Sequence, residues 1–586
     1  MATKPDTLNH VAKPERSRAP AGSAGEIEDL LGIAEAPLTA LDPVGFLGAL
    51  QRAGLSAGRH PMSVLSALSR LALGQATVAG TTLRRAFGDR SAAPVVPMDR
   101  DKRFRDPAFE NNAVFYALAQ NYLLATHLVM ELLDIADLAP DEERKARFAA
   151  GFLLDALAPT NNLFGNPAAM REAFATGGKS IARGLRNMVH DISHNGGWPA
   201  QVDSSPFEVG VNMAATPGRV VYRSTLIELI QYEPQTPRVH EVPLLFCPPW
   251  INKFYIMDLS PGKSLIEWAI RHGHTAFAIS YRNPDESMRD TSFEDYLTQG
   301  PLDALRVVRE ITGQPKINTL SVCLGGTLSA IAMAYQAATG EDWVNSATFL
   351  NSHTDFSEPG VLGAFTDEAS VSNLERRMAK KGYLEAKDMA RTFDIIRAND
   401  LVFQYVVNNW LMGEKPPAFD LLAWNNDSTR MPAKMHSRYL RSCYLENQLA
   451  RGEFAVNGYK LDPHSVKVES YVLSAIEDHI VPWHSAYKTA LLLGGQNRFV
   501  LSSSGHIAGI VNPPNRHAKH WSNPSLPESP DEWLAGASLH DETWWADWAR
   551  WIGDRAGGQI AARKRLGSKE FPPEENAPGT YVRAPA

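Results

Sequence analysis

Cysteine is scarce in this chain. Cys247, Cys323 and Cys443 are the three present among 586 residues. They lie far apart, with no CxxC spacing, so neither a disulfide framework nor a metal-ligand cluster can be read from them. Free thiols in a reducing compartment are the default expectation. Long apolar runs are missing too. No stretch reaches the roughly 18–20 uninterrupted apolar residues of a spanning helix. The N-terminal MATKPDTLNHVAKPERSRAPAGSAGE also lacks the apolar segment of a signal peptide. The expectation is a soluble, cytoplasmic protein without a transmembrane segment, with adsorption to a hydrophobic surface left open. A basic excess is absent as well: 58 Lys and Arg stand against 65 Asp and Glu, a net charge of -7. That balance offers no field for nucleic acid. Nor is there a Gly-rich phosphate loop of the dinucleotide or P-loop type, so no cofactor-binding residues are visible.

What is present is an ordinary globular composition, 44% apolar and 21% charged, in a chain long enough for two or three structural units. Residues 1–26 are too polar to offset the entropy of ordering and are expected to be a disordered tail. From 27 to 204 the texture is helical, as in LATHLVMELLDIADL (123–137) and FAAGFLLDALA (148–158), with Pro and Gly interrupting between 89 and 108. Near 205 it changes. FEVGVNMAATPGRVVYRS reads as two β segments around a Pro-Gly turn. Strands then alternate with helices: VPLLFCPPW, SLIEWAIRHG, HTAFAISY, PLDALRVVREITG, INTLSVC, TLSAIAMAYQAA and SATFLNS. That alternation predicts an α/β fold with a mostly parallel sheet covered on both faces. Further strands follow at VKVESYVLSAIE (466–477) and NRFVLSSS (497–504). The expected organisation is a first core part over 205–352, a helical cap inserted over 353–465, and a second core part over 466–586.

The most informative segment is INTLSVCLGGTLSAIAMAY. A strand runs into Ser-Val-Cys-Leu-Gly-Gly and a helix starts at once, the context of a nucleophile elbow. Ser321 and Gly325 supply small flanks and Cys323 the apex. The short pattern alone reads more readily as a small buried hydrophobe at a strand end, as most free cysteines are, so the partners decide. Downstream, EDHIVPW puts Asp478 just past a strand, with Glu477 adjacent and expected to face the other way. SGHIAGIVNPP puts His506 past the next strand; His479 and His484 lack that placement. Nucleophile, acid and histidine in this order are those of an α/β-hydrolase. His506 would take the proton of Cys323 while Asp478 holds the imidazole in the useful tautomer. The oxyanion would be met by the N–H of Leu324 and a backbone N–H near Trp250 or Ile251 in PPWINK, although Pro248-Pro249 also reads as a simple strand breaker. Transfer from a coenzyme A thioester to a cysteine exchanges one thioester for another, and the product still reacts with an alcohol.

With these segments assembled, the chain resembles the polyhydroxyalkanoate synthases. SVCLGGT, EDHIVPW and SGHIAGIVNPP match that family's nucleophile, acid and histidine segments, and PPWINKFYIMDLSP, YRNPDESM and FDLLAWNND are further similar stretches. The likeness runs from about residue 100 to the C-terminal APGTYV, and the length resembles the single-subunit type. The resemblance implies Cys323 as acyl carrier and His506 as its activator, with Asp478 also helping to deprotonate the 3-hydroxyl of the incoming unit. It implies 3-hydroxyacyl-coenzyme A as substrate, with coenzyme A carried in and released rather than held as a cofactor. EDHIVPW and the YRNPDESM region resemble enzymes for short-chain monomers, KKGYLEAKDMAR and EKPPAFDLLAWNND those for medium-chain monomers, and 3-hydroxybutyryl-like units are the expectation. It further implies a homodimer at the surface of a polymer granule, in contact with the growing polyester and with granule-associated proteins.

Two apolar features stand outside the triad. DETWWADWARWIGD stacks four tryptophans on a helix, which reads as a core-packing face in preference to a polymer-binding one. The helix over 64–88 is apolar with basic residues, suited to a neighbouring helix or to a granule surface. Two rival functions remain open on the sequence: an acyl hydrolase, in which water replaces the alcohol, and a catalytically silent granule scaffold.

Overall fold

The computed structural model describes residues 43–89, 95–98 and 101–585. The expected tail 1–26 and parts of the 89–108 segment lie outside them. The N-terminal region is helical, including α1 (Pro61–Ala86), α2 (Ala113–Ile135) and α3 (Lys179–His194). α1 and α2 pack on each other, and buried Gln120 of α2 exchanges hydrogen bonds with the backbone of Val96 at 2.8 and 2.9 Å. By length and composition α2 is apolar enough to cross a membrane. A search for uninterrupted apolar runs passes over it because Gln120, Asn121, Thr126 and His127 break the run.

α3 wears its amphipathic pattern inside out. It buries Ser180, Gly184 and Asp191 and exposes Ile181, Leu185 and Val189. The small, polar face is what allows close approach to residues 406–411 of the inserted segment. A Cβ at Gly184 would sit 1.9 Å from the Trp410 carbonyl oxygen. Asn187 donates to the carbonyls of Asn409 and Glu414 at 3.0 Å, and the Trp410 indole donates to Asp191 at 2.8 Å. Buried Lys145 adds an ion pair to Asp367. The helical region thus grips the insertion.

The core is a ten-stranded sheet. Its strands in chain order are β1 (Gly218–Arg223), β2 (Ile227–Tyr232), β3 (Leu244–Cys247), β4 (Ala276–Tyr281), β5 (Ile317–Val322), β6 (Val344–Leu350), β7 (Glu469–Ala475), β8 (Asn497–Ser502), β9 (His520–Ser522) and β10 (Ser538–His540). Across the sheet they run β1-β2-β4-β3-β5-β6-β7-β8-β9-β10. Strands β3 to β8 are mutually parallel. The pairs β1-β2, β2-β4, β8-β9 and β9-β10 are antiparallel. β5 is buried at every position, as a strand covered on both faces must be. The sheet differs from expectation at its first edge. Residues 205–216 form turns with one isolated Val209–Met213 bridge. β1 begins at Gly218, and its partner β2 carries the apolar run IELIQY instead of the segment before Pro217.

Between β6 and β7 lies a mainly helical insertion. It includes helices Glu368–Lys381, Ala386–Ile396 and Asp420–Asn426, then α5 (Ala433–Tyr439). Stretches 399–403, 406–411 and 440–445 are wide i→i+5 turns, a geometry that often accompanies functional sites.

Candidate active site

The last residues of β5 and the first of α4 (Leu324–Thr339) make a sharp corner with Cys323 at its apex. Cys323 has φ +51° and ψ -122°, a conformation an L-residue occupies only where the surroundings enforce it. The enforcement is visible. Its N–H donates to Leu350 O of β6 at 2.8 Å. A Cβ at Gly325 would lie 2.3 Å from Cys247 O, and one at Gly326 would lie 2.1 Å from Ser352 Oγ. The start of α4 therefore lies against the ends of β3 and β6 at a distance only glycine permits. Ser321, the other small flank, is buried, and its hydroxyl pairs with Ser329 Oγ at 2.7 Å. Cys247 and Cys443 are buried, and burial pushes their thiols up to about 11 and about 12. Cys323 is the partly exposed cysteine, at the wall of a cavity of about 640 Å³.

Asp478 follows β7 and His506 opens α6 (His506–Ile510) after β8. The His506 Nδ1–H donates to Asp478 Oδ2 at 2.6 Å. Asp478 Oδ1 accepts the N–H groups of Ile480 and Val481, both at 2.9 Å. The carboxylate is fully enclosed, whereas Glu477 is exposed. Burial alone would push the His506 imidazole down, but Asp478 and Cys323 outweigh it and raise it to about 10. Both oxygens of Asp478 are thus hydrogen-bonded.

Of the oxyanion candidates, Leu324 is the first residue of α4, where an N–H has no partner within the helix. Ile251 lines the cavity together with Cys323 and Leu324. Trp250 turns its indole into the core, edge-on to Phe293 and Tyr439.

Several contributors escape a search for triad motifs. Asn351 (φ +46°), at the end of β6, is buried and donates to the His506 carbonyl, a contact no motif signals. Trp544 and Trp545 of α7 (Trp544–Gly553) are buried and donate to the carbonyls of Gly509 and Ile510 at 2.8 and 2.9 Å. The tryptophan stripe thus packs in the core and at the same time braces the helix that carries His506. His353, His436 and His479 line the cavity; His484 is half-exposed and faces Asp531. His353 had a readable signal, lying three residues past the end of β6 just as Asp478 lies three past β7.

Fold and site together define an α/β-hydrolase-type enzyme. A family model described as alpha/beta hydrolase fold matches residues 243–513, and one described as the N-terminus of poly-beta-hydroxybutyrate polymerase (PhaC) matches residues 100–269. The chain is 42% identical over 513 residues to the poly(3-hydroxyalkanoate) polymerase subunit PhaC of Cupriavidus necator, covering 86% of this chain and 87% of that protein. It is 42% identical to the poly(3-hydroxyalkanoate) polymerase of Methylorubrum extorquens, over 90% of this chain and 88% of the relative. Poly(3-hydroxyalkanoate) polymerase 1 of Ectopseudomonas oleovorans is 41% identical, over 83% and 87%. The chain belongs to the poly(3-hydroxyalkanoate) polymerase family and is a polymerising acyltransferase.

Proposed function

We propose that this enzyme builds polyester from 3-hydroxyacyl-coenzyme A through a thioester on Cys323, with 3-hydroxybutyryl as the favoured unit. His506 takes the thiol proton, and the Cys323 sulfur attacks the thioester carbonyl. The N–H of Leu324 and that of Trp250 or Ile251 receive the oxyanion. The coenzyme A sulfur leaves with the proton from His506, so that one thioester is exchanged for another. The 3-hydroxyl of a second acyl-coenzyme A then gives its proton to His506 and attacks the Cys323 thioester. An ester forms, the thiol is released, and the lengthened chain is still a coenzyme A thioester that Cys323 can take up again. No cofactor beyond the substrate's own coenzyme A is needed.

The observation that carries this reading is the hydrogen-bonded Asp478–His506 pair beside a strained, partly exposed Cys323, in a mainly apolar cavity that the insertion helps to line. Exclusion of water from such a cavity favours an alcohol as acceptor. We carry the homodimer, the granule surface, granule-associated partners and a cytoplasmic location as parts of the same proposal. Granule contact is supported by α1, which exposes Met62, Leu65, Leu73 and Leu83.

Purified protein incubated with 3-hydroxybutyryl-coenzyme A tests the reaction, with free thiol and acyl products followed together. Thiol release with insoluble polyester is expected, and Cys323→Ala should abolish both. Release of free 3-hydroxybutyrate would mean a hydrolase. No release from this or longer 3-hydroxyacyl substrates would favour a silent scaffold.

A further inference from the structure

Burying a 3-hydroxyacyl group in an apolar cavity leaves one polar atom without water besides the reacting carbonyl: the oxygen on C3. An unpaired buried hydroxyl or ester oxygen is penalised unless the wall supplies a partner. Among the described residues, three histidines of the wall, His353, His436 and His479, have a buried ring nitrogen without a hydrogen-bond partner, and of these His353 is tied to the helix that starts at the nucleophile. His353 is 2% exposed, and its Nε2 has no hydrogen-bond partner. It lines the same cavity as Cys323 and His506.

Its backbone is fixed where the chemistry happens. Thr327 of α4 donates its hydroxyl to His353 O at 2.6 Å, which ties the residue to the helix that starts at the nucleophile. The ring stands edge-on to Phe356, centroids 5.0 Å apart. Burial pushes the imidazole down to about 4, against the opposing pull of Asp478 and Asp355. At neutral pH the ring is therefore uncharged, with one N–H to donate and one nitrogen to accept. A neutral donor–acceptor suits a hydroxyl in the monomer and an ester oxygen in the chain equally well.

Resting on the polymerase reading above, we propose that His353 is the specificity-determining residue for the 3-oxygen of the acyl group, hydrogen-bonding it as Cys323 is acylated. A fixed polar partner of this kind discriminates by being left unpaired when the substrate lacks the group. The enzyme should therefore acylate faster with 3-hydroxybutyryl-coenzyme A than with butyryl-coenzyme A, which has the same chain without the hydroxyl.

The test is single-turnover coenzyme A release from both substrates in wild type, His353→Phe and His353→Gln. Phenylalanine keeps the ring against Phe356 and deletes both nitrogens; glutamine restores a donor and an acceptor. We expect His353→Phe to lose at least about tenfold with the 3-hydroxy substrate, the equivalent of one net hydrogen bond of roughly 1.4 kcal/mol, and to stay within about twofold with butyryl. His353→Gln should recover part of the preference. Equal losses on both substrates, or a wild type with no preference, would overturn the assignment. Should His353→Phe not fold, His353→Leu gives the same comparison. Failure of the polymerase reading looks different: wild type would then release no coenzyme A, or would release it together with free acid.

Discussion

Replacing Asp478 with asparagine changes one atom and should disable the enzyme. Asp478 Oδ1 accepts two backbone N–H groups, and Oδ2 accepts the His506 Nδ1–H. Asparagine has one acceptor oxygen and one NH2 group. Keeping the oxygen on Ile480 and Val481 points the NH2 at His506 Nδ1. The reverse orientation sets the NH2 against two N–H donors, each left unsatisfied at about 1–3 kcal/mol. Two lost bonds outweigh one, so the first orientation is favoured by about 1–3 kcal/mol. His506 Nδ1 must then accept, its proton moves to Nε2, and the ring presents a donor to Cys323 where a base is needed. A triad locked in that tautomer loses roughly 10⁴-fold in rate. Loss of the carboxylate also removes the largest influence holding the imidazole up near 10. Single-turnover coenzyme A release measures the rate, and nitrogen NMR of His506 reads the tautomer. Retention of more than a tenth of the wild-type rate would refute the argument. So would a collapsed rate with the Nδ1–H tautomer intact.

Three further outcomes follow from the same geometry. Gly325→Ala places a Cβ 2.3 Å from Cys247 O; because both sides are backbone, we expect about 1–3 kcal/mol or more of lost stability with loss of activity. A wild-type urea midpoint would count against that contact. Trp544→Phe removes the 2.8 Å bond to Gly509 O and should lower stability by about 1–2 kcal/mol, with kcat falling more than KM rises, as read by urea unfolding and steady-state kinetics. The His506 imidazole is held up at about 10 in the folded protein, above the roughly 6.5 of an unfolded chain. Its stabilisation is therefore full below about pH 6.5 and fades as pH rises through 10. The stability gap between wild type and His506→Gln, from denaturant titrations at pH 7 and pH 10, should accordingly narrow with pH.

The sequence alone was enough for the alternation of β3 to β8 with helices, because each strand is a short apolar run bounded by turn residues. It was enough for the order Cys323, Asp478, His506, because each follows a strand in an α/β chain and such positions gather at one edge of a parallel sheet. It did not reveal β2 as the partner of β1, since antiparallel pairing depends on which apolar run the sheet edge accepts and not on local pattern. Nor did it show α3 turned outward at Ile181, Leu185 and Val189. Periodicity marks an apolar face but not which way it points, and here close backbone approach at Gly184 decided. Asn351, His353 and Trp544 carry no motif. Their roles arise from contacts across 26 to 155 residues of chain, which only the folded structure brings within hydrogen-bonding distance.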